Sequence, residues 1–315
     1  MSDLKAAPPT RQRRKVSTEY SLPTSGVLSY FPESWVSYGE LARVDKPTGI
    51  WHFYFPHLFG TLYAACITGT PERLDELFYK NLVLFIGTFF FRSAWNDTLD
   101  YEYDRQVPRC RLRPLARGAL SHTQGYACTA TLAAFALWFI YILPVNCWII
   151  SVPNVVLASF YPFAKRVIDV PQVVLGFQQA IGLFIGVGAT ITKPDGILGF
   201  KNEGTNTRHF WALGALMALH FRDSAKSLLW TILLLHILFL LMTGVCAGFG
   251  RGYMYVSCGG VVSALPYMLG TINLSNPHEC AWFFKYGHWY VNLAMAGGLF
   301  IQSQDSYASS SRLGS

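Results

Sequence analysis

Charge is what this 315-residue sequence has least of: Asp, Glu, Lys and Arg together make up 14%, against roughly 25% in soluble domains. With 52% hydrophobic and 16% aromatic residues, the chain cannot coat itself in charge, which excludes an ordinary soluble globule. Cysteine is sparse and unpatterned. Cys66, Cys110, Cys128, Cys147, Cys246, Cys258 and Cys280 include no CxxC pair and no His-rich spacing, so they read as small core residues rather than a zinc site or a disulfide frame. No basic domain interleaved with aromatics exists, so the formal charge of +7 does not point to nucleic acid. The first 40 residues carry Arg11, Arg13, Arg14 and Lys15 among prolines and serines and lack the apolar core of a secretory signal. They read as a polar cytosolic tail. No charged motif occurs twice, which argues against a transporter built from internal repeats.

Long apolar runs are there instead, near residues 47–69, 82–96, 125–143, 145–163, 172–192, 209–221, 228–249, 253–272 and 286–302. Most approach the roughly 20 residues that a helix needs to cross a bilayer. The expectation is an all-α, polytopic membrane protein of about 8–9 transmembrane helices over residues 41–303. A polar tail at 1–40 would precede it, and a serine-rich disordered tail at 304–315 would follow. The richest basic connections, 105–117, 165–166 and 222–226, fall on one side, which faces the cytoplasm by the positive-inside rule. An endomembrane such as the endoplasmic reticulum is expected rather than the mitochondrial inner membrane. The lipid bilayer is a required partner, and no obligate protein partner is evident.

At the end of the run 82–96 stands Asn96-Asp97-Thr98-Leu99-Asp100-Tyr101-Glu102-Tyr103-Asp104. On a helix Asp97, Asp100 and Asp104 fall at about 0°, 300° and 340°, so three carboxylates share one narrow face. Ionised acids near a membrane-buried helix cost roughly 2.5–3.5 kcal/mol each toward its centre unless a cation or water compensates. Mg²⁺ suits such a face, because it takes one or two protein carboxylates together with the phosphates of a substrate. Arg105, Arg109, Arg111, Arg113 and Arg117 follow at once, broken by Pro108, Pro114 and Gly118. Arginine forks match phosphate oxygens, and the prolines stop the helix so that a loop can fold back over the acids. Arg43 and Lys46 precede the first long run, one turn apart, and can meet a lipid headgroup or a substrate carboxylate. Position alone favours the lipid. The aromatics and histidines from Trp51 to His57 read as an interfacial belt. Tyr161-Pro162-Phe163-Ala164-Lys165-Arg166 adds a tyrosine and two cations to the basic side.

Taken together these residues resemble the UbiA superfamily of intramembrane aromatic prenyltransferases. Asn96-Asp97-x-x-Asp100-x-x-x-Asp104-Arg105 resembles its first aspartate motif, and Arg113-Pro114-Leu115-Ala116-Arg117-Gly118 the stretch after it. Arg43-x-Asp45-Lys46-Pro47-x-Gly49 resembles the start of the first helix, and residues 161–166 the end of the fourth. Phe55-Pro56-His57-Leu58-Phe59-Gly60 and the residues after it look most like the fungal branch that prenylates polyketide-derived phenolic acids in meroterpenoid synthesis. The related 4-hydroxybenzoate polyprenyltransferase of ubiquinone synthesis is the main rival.

The resemblance implies a helical bundle around a central cavity. Asp97, Asp100 and Asp104 would be the catalytic acids, holding Mg²⁺. Asn96, Arg105, Arg109, Lys165, Arg166 and Tyr161 would bind a prenyl diphosphate, and Arg43 or Lys46 would steer an aromatic acid. It also implies a second aspartate motif after helix six. Here His220 is followed directly by Phe221-Arg222-Asp223-Ser224-Ala225-Lys226, which resembles sequence beyond that motif, so about thirty family residues are missing and helix six is truncated. A decayed or mis-spliced relative is therefore a further reading, and a transporter or scaffold is the alternative from another class.

Overall fold

The computed structural model describes residues 20–68, 74–108, 110–142, 145–167, 172–190, 226–273 and 276–313. A 3₁₀ turn at Val27–Tyr30 leads into α1 (Glu33–Leu41), followed by α2 (Pro47–Thr68), α3 (Leu74–Gln106), α4 (His122–Tyr141), α5 (Val145–Val167), α6 (Gln172–Thr190) and α7 (Lys226–Cys246). The last two are α8, residues 251–271 with a π-turn at Met254–Gly259, and α9, residues 277–313 with a π-turn at Phe283–Gly287. There is no strand among the described residues. Eight of the nine apolar runs coincide with α2–α9. The ninth, the shortened helix six at 209–221, lies outside the described residues.

The helix α2 is the axis of the bundle. It is apolar all round, the signature of a fully enclosed helix, and it packs on α6, α9 and α3. Tyr54, Phe55, Phe59, Leu62 and Tyr63 from α2 share one core with Leu183 and Val187 of α6, Leu240 of α7, Tyr253 and Val261 of α8, and Val291, Met295 and Leu299 of α9. The expected interfacial belt is thereby corrected. Trp51 is exposed, but Tyr54, Phe55 and His57 are buried, because that side of the helix faces the protein core; the side chain of His52 lies outside those described.

The helices α2 and α6 touch through glycines. A Cβ on Gly60 would stand 3.0 Å from the Gly186 Cα, and one on Gly186 would stand 3.1 Å from the Gly60 Cα while striking the His57 carbonyl. Small residues let membrane helices approach backbone to backbone, where dispersion replaces the missing hydrophobic drive.

Two expected boundaries shift. The N-terminal tail contains α1, whose Val36 and Leu41 are buried, so part of it packs on the bundle. Residues 304–313, expected to be disordered, continue α9. Their short polar groups are satisfied along the helix, with Gln302 Nε2 donating to Ser306 Oγ at 3.2 Å and Ser309 Oγ to the Asp305 carbonyl at 2.9 Å. Among the described residues two helices, α5 and α6, contain spans long and apolar enough to cross a membrane, Cys147–Ala164 and Val173–Thr190. The described cysteines are free.

Gly186→Val would force α2 and α6 apart. It should lower the stability of the detergent-solubilised protein by about 1–3 kcal/mol, the usual cost of overpacking, and reduce the yield of monodisperse material. An unchanged melting temperature would show that the close approach is dispensable.

Candidate active site

At 33 residues and 1.5 Å per residue, α3 is about 50 Å long, against about 30 Å for a hydrocarbon core. Its C-terminal end therefore projects beyond the apolar region, carrying Asn96, Asp97, Asp100 and Asp104, all buried in protein. The shared face expected from their spacing is real, and arginines supply its positive charge.

Arg43 Nη2 stands 2.6 Å from Asp97 Oδ1, and Arg113 Nη1 stands 3.0 Å from the same oxygen and 2.6 Å from Asp104 Oδ2. Asn96 Nδ2 donates to Asp97 Oδ1 at 3.2 Å. Arg166 Nη2 donates to the Leu99 carbonyl at 3.1 Å and lies 3.5 Å from Asp100 Oδ1, with its guanidinium over the Tyr103 ring. Burial works to lower the Arg113 pKa, but Asp97 and Asp104 outweigh it and raise it.

Local structure explains how these cations arrive. The end of α1 is a Schellman turn, with Arg43 N–H bonded to the Glu40 carbonyl and Val44 N–H to the Gly39 carbonyl, both at 3.0 Å. Its left-handed position, usually glycine, is Arg43 at φ 58°. That conformation costs a side-chain-bearing residue roughly 1–2 kcal/mol, and it turns the guanidinium onto Asp97, 54 residues away.

The connection after α3 folds back as its prolines suggest. Gly118, at φ 81°, turns it, and Leu115 and Leu120 pack with Leu41 and Ala94. Arg117 pins it to α1, 2.6 Å from Glu40 Oε2 and over the Tyr20 ring at 3.7 Å. A capping box between Ser121 and Gln124 then starts α4.

Several expected site residues are elsewhere. Arg105 points back into the loop, with Nε donating to the Ala116 carbonyl at 3.0 Å and the guanidinium over Tyr101. Lys46 is exposed and makes none of the ion pairs that hold the acids. The Tyr161 ring faces Arg92, 5.1 Å from its guanidinium carbon. Arg109 and the Lys165 side chain lie outside what is described. Arg113, which sequence reasoning placed in a motif but not in the site, is the central bridging cation.

Deeper in the bundle, a cavity of about 120 Å³ is lined by residues of α2, α3, α4, α5 and α6, with His57, Arg92, Asn154, Gln178 and Gln179 as its polar members. The signal that could have found these residues is polarity itself, since an arginine and a glutamine pair interrupt otherwise apolar runs.

Among the described residues no three His, Cys, Asp or Glu side chains cluster closely enough to enclose an ion. The donor set nevertheless fits Mg²⁺. All the oxygens are hard, and this ion is ordinarily held by one or two carboxylates with phosphate and water completing its shell.

Comparison with known proteins names the class: membrane-embedded prenyltransferases. Residues 53–225 match the UbiA prenyltransferase family. The stbC prenyltransferase of Stachybotrys bisbyi is 34% identical over 312 aligned positions, covering 89% of this chain and 91% of stbC. The match to ascA of Acremonium egyptiacum is 42% identical but spans 51% of this chain and 48% of ascA. A DMOA farnesyltransferase, nvfB of Aspergillus novofumigatus, is 29% identical over 88% of this chain and 94% of its own. A solved digeranylgeranylglyceryl phosphate synthase shares the fold at TM-score 0.56 and 17% identity, covering 85% of this chain and 99% of that one. The chain belongs to the UbiA prenyltransferase family, and it is an integral membrane protein as that family is.

Arg113→Ala would leave Asp97 with one cation and Asp104 without its bridging partner. A loss of about 1–3 kcal/mol in stability is expected, the cost of stranding buried charged groups, and Arg113→Lys should recover part of it. Thermal unfolding in detergent reads both. Identical curves for Arg113→Ala and the parent would mean that the pairs are solvated and worth little.

Proposed function

We propose that this chain transfers a prenyl group, farnesyl in the first instance, from its diphosphate to a ring carbon of a phenolic acid, within an endomembrane. The observation that carries this reading is the buried acidic face of α3, crossed by arginines from α1, from the loop after α3 and from α5. Such a face suits a diphosphate because each arginine can exchange a carboxylate for a phosphate oxygen without losing its partner charge. The fold and the family support the reaction type, and the name of nvfB supports the farnesyl donor.

Asp97, Asp100 and Asp104, assisted by Asn96, would hold Mg²⁺, which supplies charge neutralisation to the diphosphate. Arg43, Arg113 and Arg166 would stabilise the charge that grows on the leaving diphosphate as the allylic C–O bond breaks and its electron pair departs. The apolar bundle would take the prenyl chain and exclude water from the allylic cation. A π pair of the phenol ring then forms the new C–C bond, and the displaced ring proton passes to the released diphosphate.

A second reading has its own support. The 312 positions aligned with stbC take in only 89% of the 315 residues here, so about thirty positions of the relative face gaps. That agrees with a missing segment after His220. A chain with one acidic cluster would neutralise a leaving diphosphate less fully and turn over slowly or not at all.

Membranes containing the chain, given Mg²⁺, farnesyl diphosphate and phenolic acids including dimethylorsellinic acid and 4-hydroxybenzoate, test both. Prenylated product detected by mass spectrometry is expected. It should fall by about 10²–10³-fold in Asp97→Ala, as when a group stabilising transition-state charge is removed, and vanish with a chelator. Preference for 4-hydroxybenzoate with longer prenyl donors would move the assignment to ubiquinone chemistry. No product from a folded chain, with activity restored by inserting the stbC segment, would establish the second reading.

A further inference from the structure

The helix that delivers Arg43 and the loop that delivers Arg113 are joined by a mostly buried contact outside the acidic face. Arg117 Nη2 stands 2.6 Å from Glu40 Oε2 and 3.1 Å from Ser37 Oγ, and its Nη1 donates to the Leu112 carbonyl at 2.7 Å. The Tyr20 hydroxyl takes the other Glu40 oxygen, donating to Oε1 at 2.9 Å, while its ring lies 3.7 Å from the Arg117 guanidinium carbon. Glu40 thus has a donor on each oxygen, and Arg117 has partners on both terminal nitrogens and on one face.

Tyr20 belongs to the segment 20–31, which leads through the 3₁₀ turn into α1. Apolar packing seats this segment. Leu28 is 2% exposed and lies on α1 so closely that a Cβ on Gly39 would stand 2.5 Å from Leu28 Cδ2 and 3.3 Å from the Phe31 ring. Replacing a desolvated ion pair by apolar groups is often neutral or stabilising, so stability alone does not account for an ionic contact beside such packing. What a charged, directional contact adds is a fixed geometry.

That geometry is passed on through one backbone hydrogen bond on each side. The Glu40 carbonyl accepts the Arg43 N–H at 3.0 Å, and the Arg113 carbonyl accepts the Arg117 N–H at 2.9 Å. Glu40 and Arg117 are therefore one turn of chain from the two cations that share Asp97 Oδ1. Two guanidinium groups drawn to one oxygen repel each other, and their spacing has to be imposed from outside the acidic face. A diphosphate that takes both cations depends on that spacing. A shift of about 1 Å in groups that position a substrate can cost about 10²-fold in rate.

We propose that Tyr20, Glu40 and Arg117 are positioning residues for the diphosphate site, a clamp that holds Arg43 and Arg113 at the separation the diphosphate requires and makes segment 20–31 part of that site. The inference rests on the prenyl-transfer reading. Arg117 acts through the chain and touches no substrate, because its terminal nitrogens are spent on Glu40, Ser37 and Leu112. Tyr20 fixes the direction of both partners at once, one through its hydroxyl and the other through its ring.

The test is binding of farnesyl thiolodiphosphate, whose bridging sulfur slows cleavage, to the purified full chain in detergent with Mg²⁺, by titration calorimetry. Glu40→Ala should weaken binding about tenfold, the worth of one charged hydrogen bond, and Glu40→Gln, which keeps an acceptor for both donors, should recover part of the loss. Arg117→Glu should weaken binding at least as much. The exchange of Glu40→Arg with Arg117→Glu should then bind several-fold more tightly than Arg117→Glu alone, since the cycle restores the pair. A phosphate contact made by Arg117 itself would not be recovered in this way. Tyr20→Phe, which keeps the ring over the guanidinium, should cost about two- to fivefold.

With turnover, Glu40→Ala should raise the KM for farnesyl diphosphate about tenfold and leave that for the phenolic acid within about twofold, a split that general loosening of the bundle would not produce. Melting curves establish that each variant is folded, and Tyr20→Phe with the exchange decides the matter if Glu40→Ala is not. Parent-like binding by folded Glu40→Ala overturns the inference. So does an exchange no tighter than Arg117→Glu combined with parent-like binding by Tyr20→Phe, or an equal rise in both KM values. In each of these cases the parent still binds the probe and the prenyl-transfer reading stands. No saturable binding of the probe to the folded parent refutes that reading and takes the inference with it.

Discussion

Burying three carboxylates at the end of one membrane helix is the constraint around which this end of the bundle is built. Asp97 alone draws Arg43, Arg113 and Asn96 onto a single oxygen, and each has to be delivered from a different place. A left-handed turn at the end of α1 aims Arg43. A looped-back connection aims Arg113. A second ion pair, Arg117 with Glu40, clamps the two delivering segments together. The strain at Arg43 is understandable in these terms: a glycine would relax the turn and remove the cation. Since desolvated charges lose most when one partner is withdrawn, the acids, α1 and the arginine loop form one electrostatic unit.

That unit rests on α2, whose apolar surface lets it serve as the common neighbour of α6 and α9. The glycine contact with α6 brings His57 to Gln178 and Gln179, while the opposite side carries the large core that joins α7, α8 and α9. Packing and chemistry are coupled here. The close approach that gives dispersion energy also places His57 at mid-helix without lipid exposure, with one ring nitrogen 3.0 Å from the Phe53 carbonyl.

Charge is thus divided into two levels along α3. The outer level holds acids neutralised by arginines and suits a diphosphate. The inner level holds Arg92 against aromatic rings with neutral polar groups around it.

Much of this was legible in the residues. Hydropathy runs of about 20 residues specify helices whatever their neighbours, because a backbone in lipid must bond within itself, so eight of the nine runs lie on α2–α9. The shared face of Asp97, Asp100 and Asp104 followed from helical periodicity alone. Residues 33–40 and 304–313 are helical where composition alone suggested tails, because composition does not register tertiary support: α1 is packed on the bundle, and Gln302 is tied to Gly250 N–H at 2.6 Å. Which arginine meets which acid was not readable. Arg105 and Arg113 have the same chemistry, and only the return path of the loop sends one to the Ala116 carbonyl and the other to two carboxylates. Arg43 reaches Asp97 across 54 residues of chain, and His57 shares a cavity with Gln178 across more than a hundred. The sequence by itself determined the helices and the acidic face, because both are set by local periodicity. The tertiary structure decided the cations that neutralise the acids and the polar chamber below them, because those depend on backbone turns and helix contacts that no local pattern encodes.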